Sequence, residues 1–402
     1  MILNRRTALL GLTAAVSLGP ASLALAPAGT DRRLVVILLR GALDGLAAVQ
    51  PYGDPDLARW RGALLLPEPG QAEGLLDLGG KFGLHPALGG LHELYRNGEA
   101  LILHAAAGPW RSRSHFQAQD DLESGAAQRL ASGWLNRAIL ALPSPPARGG
   151  PAGDAVGRAV AVGTAMPLLL EGPARVASWA PSRFGAPAPD LYARLAALNR
   201  SDPVLGPAIA EGVRSRGFAT RVMDEDDGSV LRERNTFPAL AAAAAELMAA
   251  PDGPRIAALE IGGWDTHADQ NARLAQPLRQ LDAGIVALKS RLGPLWAGTV
   301  VLALTEFGRT VRANGTKGTD HGTGTVAFAA GGAIAGGRVV GDWPGLSEQA
   351  LFEDRDLQPT TDLRALIKGV LAAHLGLSEP ALAQVFPDSA GAGAIRGLVR
   401  PV

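Results

Sequence analysis

Short apolar runs in this chain alternate with longer alanine- and leucine-rich segments, and this alternation most limits its possible folds. Short β-branched runs predict buried strands and the longer segments predict helices, so we expect an α/β fold: a doubly wound, mostly parallel sheet with helices on both faces. The predicted strands are Leu34–Leu39, Leu101–Leu103, Ala159–Val162, Ile256–Ile261, Val300–Leu304 and Val326–Ala330. The predicted helices are His115–Ser124, Gly133–Leu142, Leu191–Leu198, Phe237–Ala249, Ala268–Leu292 and Asp362–Leu375.

The strongest loop signal is Pro143–Gly153, which reads PSPPARGGPAG. Predicted strands continue on both sides of it, so we favour one domain over residues 29–402 rather than two independent domains. Residues from about 163 to 228 are richer in Pro and polar side chains, which predicts an inserted cap region.

Residues 1–28 have the pattern of a targeting segment. Arg5 and Arg6 precede an apolar stretch that ends in Ala26-Pro27-Ala28, the form of a signal-peptide cleavage site. The paired arginines resemble a twin-arginine export signal, which predicts contact with the twin-arginine export machinery and a periplasmic mature protein without a stable membrane span. The alternative is an N-terminal membrane anchor.

Composition narrows the possible chemistry. The chain has 38 basic and 38 acidic residues, whereas nucleic-acid binders usually show a basic excess, so we expect no nucleic-acid partner. It has no cysteine, which excludes thiolate catalysis, disulfides and cysteine-bound metals. Any metal must be held by nitrogen or oxygen ligands.

Polar or glycine-rich stretches adjoin five of the predicted strands. Ligands bind beyond the carboxyl ends of the strands in an open parallel sheet, so these stretches are expected to meet there. They carry carboxylates, hydroxyls and imidazoles, a combination that suggests metal-assisted hydrolysis of an anionic small-molecule, glycan or lipid substrate.

The clearest stretch is GGWDTHADQ, residues 262–270. Asp265 and His267 are two positions apart, so in an extended backbone they project to the same side, and both bind divalent metals. The alternative is that Asp265 or Thr266 only caps the following helix. The preceding Gly262-Gly263, which would let the backbone approach another group closely, favours a site.

Asp320 and His321 lie between glycines in GTDHGTG. This setting suits a metal-binding imidazole that a neighbouring carboxylate orients. The alternative is a turn residue followed by an exposed histidine.

Glu306 follows a run that predicts a buried strand, where an unpaired carboxylate is costly. It is a candidate metal ligand, or the partner of Arg309 or Arg312. Asp44, after the first strand, is either a ligand or the first residue of a helix.

Ser112 and Ser114 are the candidate nucleophiles, and Ser114 also has the spacing of a helix-capping residue. His115 is a candidate general base, ligand or helix-surface residue. The candidate groups for binding a substrate anion are Arg40, Arg113 and Arg309.

With these motifs together, the chain resembles an exported bacterial family known as domain of unknown function 1501 (DUF1501). The segments that carry the resemblance are LRGALDGL, SHFQAQDDLESG, SGWLNRA, GGWDTHADQ, TEFGRT and GTDHGTG. That family is grouped with the alkaline-phosphatase-like superfamily of phosphatases, sulfatases and phosphomutases. The resemblance implies an alkaline-phosphatase-like fold.

The superfamily usually has two divalent metals flanking a Ser or Thr nucleophile or a modified Cys. The resemblance implies metal ligands at Asp44, Asp265, His267, Glu306 and His321, with Asp269 as an alternative in the segment after the later strand. Together with Asp320 these residues form the candidate metal set, with zinc, manganese or calcium as the ion. Glu306-Phe307-Gly308 stands where the superfamily has Asp-His-Gly, and phenylalanine cannot bind a metal, so one ion rather than two is compatible with the chain. We expect a metal-dependent phosphate- or sulfate-ester hydrolase, and the alternative is a non-catalytic binding or assembly protein.

Overall fold

Nine strands form one central sheet in the computed structural model, which describes residues 31–143, 158–181, 194, 197–202, 209, 222 and 236–401. One smaller sheet pairs Val49–Gln50, Gly83–Leu84 and Leu76–Asp77, and another pairs Leu351–Phe352 with Asp356–Leu357. The strands are β1 (Arg33–Arg40), β2 (Val49–Gln50), β3 (Leu76–Asp77), β4 (Gly83–Leu84), β5 (Ala100–Ala107), β6 (Ala159–Val162), β7 (Ala177–Trp179), β8 (Ile256–Gly262), β9 (Thr299–Thr305), β10 (Thr325–Ala330), β11 (Arg338–Val340), β12 (Leu351–Phe352), β13 (Asp356–Leu357) and β14 (Thr361–Asp362).

Helices cover both faces of the central sheet. They are α1 (Gly45–Ala48), α2 (Leu57–Arg61), α3 (Gly89–Arg96), α4 (His115–Ser124), α5 (Trp134–Ala141), α6 (Phe237–Ala249), α7 (Gln270–Leu292), α8 (Leu363–Leu375) and α9 (Glu379–Val385). Side chains of β1 alternate between two apolar clusters: Val35 and Ile37 pack with α3, α6 and α7, and Leu34 and Val36 pack with α4, α5, α8 and α9. This alternation follows from the two-residue period of a strand, and it confirms the predicted α/β sheet.

The central sheet runs in the order β11-β5-β10-β9-β1-β8-β6-β7, with β14 also paired to β5. All neighbours are parallel except β10, which is antiparallel to both β5 and β9. The sheet is therefore mostly parallel, as predicted, and β10 is its antiparallel strand. The reversal matters because it places the segment before β10, rather than the segment after it, at the edge where the parallel strands end.

The predicted helices His115–Ser124 and Phe237–Ala249 match α4 and α6 residue for residue. Most of the predicted helix Leu191–Leu198, the segment 1–28, most of Pro143–Gly153 and most of the cap at 163–228 lie outside the described residues. Within the described part of the chain, every helix is too short or too polar to cross a membrane.

Candidate metal centre

The candidate site lies at the carboxyl edge of β1, β8 and β9. Asp265 and His267 follow β8, Glu306 follows β9, His321 precedes the antiparallel β10, and His115 is the first residue of α4. Four segments thus meet at one edge, as a site in an open α/β sheet requires.

A glycine-rich loop fixes the backbone that carries His267. The amide N–H groups of Asp269, Gln270 and Thr319 bond across to Thr316, Lys317 and Thr266 carbonyls at 2.9–3.2 Å. A Cβ at Gly318 would lie 2.3 Å from the backbone of His267, so only glycine permits this approach. Gly263 adopts a φ of +98, a backbone conformation that favours glycine. A Cβ there would meet nothing closer than 3.7 Å, so the prediction that the backbone at Gly262-Gly263 closely approaches another group is wrong.

Three imidazoles and one carboxylate converge at the centre. Nε2 of His321 lies 3.0 Å from Nε2 of His115 and 3.1 Å from Nε2 of His267. Asp265 Oδ1 lies 3.2 Å from the His321 Nε2 and 2.9 Å from the His267 Nε2, and Asp265 Oδ2 lies 3.5 Å from Nε2 of His115. Sequence reasoning placed Asp265, His267 and His321 together, and the structure brings them together.

The opposite nitrogen of each imidazole is held by an oxygen acceptor. Nδ1 of His321 faces the carbonyl oxygen of Arg113 at 2.8 Å, and that nitrogen must carry the proton because a carbonyl only accepts. Nδ1 of His115 donates to Glu306 Oε1 at 2.8 Å, and Nδ1 of His267 donates to Asp320 Oδ1 at 3.2 Å. In the neutral form of each ring, Nε2 therefore presents a lone pair to the centre.

This geometry fits a metal ion. Lone pairs that face one another at 3.0–3.1 Å repel unless a cation or a shared proton lies between them. Four ligands around zinc at about 2.0–2.1 Å are about 3.3 Å apart in a tetrahedron, close to the separations here. Among the described residues, the group whose ligand atoms all lie within 4.8 Å of one another is His115, Asp265 and His321. His267 reaches Asp265 and His321 and is the fourth candidate donor.

The electrostatics favour the ionised carboxylate of Asp265 and the neutral ring of His321, whereas they favour proton uptake by His115. Partial burial raises the pKa of Asp265, but the hydrogen bond and charge of Arg309 outweigh it and hold that pKa below its ordinary value. Burial, with the positive charges of His115 and Arg309, lowers the pKa of His321. The hydrogen bond to Glu306 raises the pKa of His115, as expected for an imidazole beside a carboxylate.

Glu306 supports the centre from behind. Its buried carboxylate accepts from the Gly41 N–H at 2.9 Å, from Gln119 at 3.0 Å and from Thr305 at 3.0 Å as well as from His115. Burial raises its pKa, but these donors outweigh burial and keep the group ionised. Among the described residues, the Glu306 carboxylate forms no ion pair with Arg309 or Arg312, the predicted structural partners. Its hydrogen bond to Nδ1 instead orients the His115 imidazole.

Asp320 also orients an imidazole, but not the neighbouring one. Its carboxylate contacts His267 and accepts from Asn314 Nδ2 at 3.2 Å. The expectation that Asp320 orients His321 is wrong, because the two side chains have different partners: Asp320 contacts His267, and the Arg113 carbonyl holds His321.

Asp44 lies apart from the centre. It starts α1, accepting from the N–H groups of Leu46 and Ala47 at 3.0 and 3.2 Å. Arg61 binds both of its carboxylate oxygens, at 2.5 and 3.1 Å, and Gln270 donates to one at 2.6 Å. These donors occupy both oxygens, so its surroundings favour the helix-start alternative over the predicted metal-ligand role.

The three predicted anion-binding arginines already have carboxylate partners. Arg309 is fully buried and donates to Asp265 at 2.5 Å. Arg113 binds Glu353 at 2.6 Å and Asp356 at 2.7 Å. Arg40 binds Glu260, Glu123 at 2.8 Å and Gln119 at 3.0 Å. These guanidinium groups hold the protein together around the site rather than facing an open surface.

The candidate nucleophiles lie beside His115. Ser114 is the N-cap residue of α4, but its side chain makes no capping bond, so the predicted capping-box contact is absent. The Ser112 hydroxyl accepts from the Ser114 N–H at 3.2 Å. Ser114 is exposed, which leaves its hydroxyl accessible at the rim.

Sequence reasoning missed the contacts that two residues, Gln119 and Phe307, make at the site. Gln119 bridges Glu306 and Arg40, and it lies one helical turn after His115 on the same face. Phe307 is buried, and its ring centroid lies 5.0 Å from that of His115 and 5.2 Å from that of His321. The four-residue spacing could have indicated Gln119, but nothing local to Phe307 signals which rings it contacts.

Comparison with known proteins adds a family. A family model described as "Protein of unknown function (DUF1501)" matches residues 67–386. Among solved structures, that of a 2-O GAG sulfatase is similar at 11% identity with a TM-score of 0.30, over 92% of this chain and 72% of that one. That TM-score is too low to support any functional inference. No curated protein matches this chain.

Proposed function

This chain belongs to the DUF1501 family, and from that premise we propose that it is an exported, metal-dependent hydrolase of phosphate or sulfate esters. The observation that carries the proposal is the set of three imidazoles that are each held at Nδ1 while their Nε2 atoms converge beside Asp265. An anchored imidazole of this kind is typical of metal ligands in proteins.

In this proposal His115, Asp265 and His321 hold one divalent ion, and His267 supplies a fourth donor. Three nitrogen donors favour zinc over manganese and disfavour calcium, which takes oxygen ligands. The pairing of Asp44 with Arg61 and the apolar side chain of Phe307 support one ion rather than two. The bound ion would supply Lewis-acid stabilisation of charge on the transferred group.

The chain's own residues would complete the reaction. Ser114 is exposed and immediately precedes His115, and it is the preferred nucleophile over Ser112, whose oxygen already accepts from the Ser114 N–H. Arg309 keeps Asp265 ionised, and Glu306 keeps the His115 ring oriented. Export through the twin-arginine pathway to the periplasm belongs to the same proposal, on the evidence of residues 1–28.

The second candidate is a metal-binding protein without turnover. The observation that favours it is that Arg40, Arg113 and Arg309 are all paired with carboxylates. A hydrolase must therefore recruit another cation for the substrate anion.

Metal analysis tests the proposal. We expect the purified protein to bind one zinc ion per chain, and His321→Ala to lose that binding. His92→Ala is the matched control, since His92 contacts only the Asp77 carbonyl among described residues, away from the centre. Zinc that fails to bind, or binds equally to His321→Ala, contradicts the proposal.

A panel of phosphate and sulfate esters then separates the two candidates. Turnover that requires zinc and is lost in Ser114→Ala supports the hydrolase. Zinc binding without turnover of any ester supports the binding protein.

A further inference from the structure

The β12–β13 hairpin, Leu351–Leu357, carries Arg355 to the rim of the metal centre. Nη2 of Arg355 donates to the carbonyl oxygen of His321 at 2.7 Å. The Arg355 carbonyl in turn accepts from the Val311 N–H at 3.1 Å. Both the backbone and the head group of Arg355 are therefore tied to the segment that supplies a candidate metal ligand.

The turn of this hairpin is strained. Glu353 and Asp354 adopt φ of 53 and 54, the left-handed region that side chains other than glycine rarely occupy. Each such residue costs on the order of 1–3 kcal/mol and persists only where its surroundings enforce it. Here the Arg113 ion pair holds Glu353 at 2.6 Å, and the Arg113 carbonyl holds His321. The Arg355 N–H donates to the Phe352 carbonyl at 3.2 Å, so Glu353 and Asp354 form the tight turn that joins the two strands.

Arg355 differs from the other arginines at the site in what its head group contacts. Its side chain is 41% exposed, whereas that of Arg309 is 0% exposed. Among the described residues, the carboxylate oxygen that pairs with Arg355 belongs to Asp356 at 3.9 Å, beyond hydrogen-bonding distance, and Arg113 already binds the other oxygen of Asp356. Most of the five N–H donors of Arg355 therefore remain available.

We propose that Arg355 binds the anionic oxygens of the substrate. The inference rests on the proposed function and names the cation that the paired arginines do not supply. The carbonyl that holds Arg355 and the Nε2 that faces the metal centre belong to the same residue, His321, so the guanidinium lies next to the centre. The proposal requires one tetrahedral anion to contact both cations. The fork of a guanidinium matches two oxygens of a phosphate or sulfate group.

Titration of inorganic phosphate and sulfate into zinc-saturated protein tests this role without any turnover. We expect Arg355→Ala to weaken anion binding roughly tenfold or more, as loss of a charge-assisted contact does, with the zinc stoichiometry unchanged. Arg355→Lys should recover only part of the affinity, because an ammonium lacks the planar fork. Arg291→Ala is the control, since Arg291 is exposed on α7 and pairs with Glu246.

Anion affinity that is unchanged in Arg355→Ala overturns the inference, and so does a zinc-loaded wild type that binds neither anion. Both outcomes leave the metal site standing. Absence of zinc binding by the wild type is a different result, because it overturns the proposed function itself.

Discussion

The imidazole of His115 donates its Nδ1–H to the buried carboxylate of Glu306 at 2.8 Å, although the two residues are 191 positions apart. His115 begins a helix and Glu306 directly follows a strand, and the contact aims the second nitrogen of His115 at Asp265 and His321. Glu306 is therefore a positioning residue in this geometry.

Replacing Glu306 with glutamine should weaken zinc binding about 10–100-fold, the usual cost of losing a carboxylate behind a metal-binding histidine. Glutamine keeps the shape but lacks the charge that makes the imidazole more basic. Competition with a chromophoric chelator measures the affinity. Glu99→Gln is the control, because Glu99 binds Lys289 and Trp296 elsewhere. Equal zinc affinity in Glu306→Gln and wild type would contradict the assignment.

Asp44→Asn should destabilise the fold without changing the zinc stoichiometry. The variant leaves the buried Arg61 guanidinium without its counter-charge, and breaking a buried ion pair costs about 3–5 kcal/mol. Urea unfolding measures the loss, and metal analysis of the folded protein measures the stoichiometry. Asp56→Asn is the control, since Asp56 makes no side-chain capping bond. Reduced zinc stoichiometry at unchanged stability would instead return Asp44 to the ligand set.

Gly318→Ala should weaken zinc binding through the backbone. The added Cβ would lie 2.3 Å from the carbonyl carbon of His267, so the loop must move and shift that ligand. Overpacking of this kind costs about 1–3 kcal/mol. Gly315→Ala in the same loop is a matched control, because a Cβ there meets nothing within 4 Å. Calorimetric zinc titration of both variants should separate them, and indistinguishable affinities would show that the close approach is unimportant.

Fold stability should fall as the pH drops from about 6.5 toward 4. Burial lowers the pKa of both His104 and His374 to about 4. Between pH 6.5 and pH 4 the unfolded chain therefore binds protons at these histidines while the native state does not, which favours unfolding. Each group then contributes a loss of up to about 1.4 kcal/mol per pH unit. His115 acts in the opposite direction, because its raised pKa favours proton uptake by the folded state.

Urea unfolding of zinc-free protein at pH 7 and pH 5 checks this dependence. The neutral form of His104 is fixed on both sides, since Nε2 donates to the Val49 carbonyl and Nδ1 accepts from the Ala105 N–H. His104→Gln should therefore show a shallower pH slope than wild type. A stability that stays constant or rises below pH 6.5 would refute the sign.

Most of the strands and helices could be predicted from local patterns. The runs at β1, β8 and β9 and the helix His115–Ser124 agree with their predictions. The spacing of apolar side chains and the content of helix-forming residues are both properties of short segments, so they can be read locally. The position of Asp265 and His267 after a strand also followed from the order of residues. These features need no information about distant contacts.

Strand direction and side-chain partners were decided only by the tertiary structure. The reversal of β10 brings His321 to the edge where β8 and β9 end, and no local feature of the run indicates that direction. Likewise, Glu306 contacts His115, Asp320 contacts His267, and Asp44 contacts Arg61. The sequence alone determined which residue types stand at strand ends. Folding decided which of them meet, because pairing between remote segments depends on packing of the whole core, and a charged group takes whichever partner that packing places within hydrogen-bonding distance.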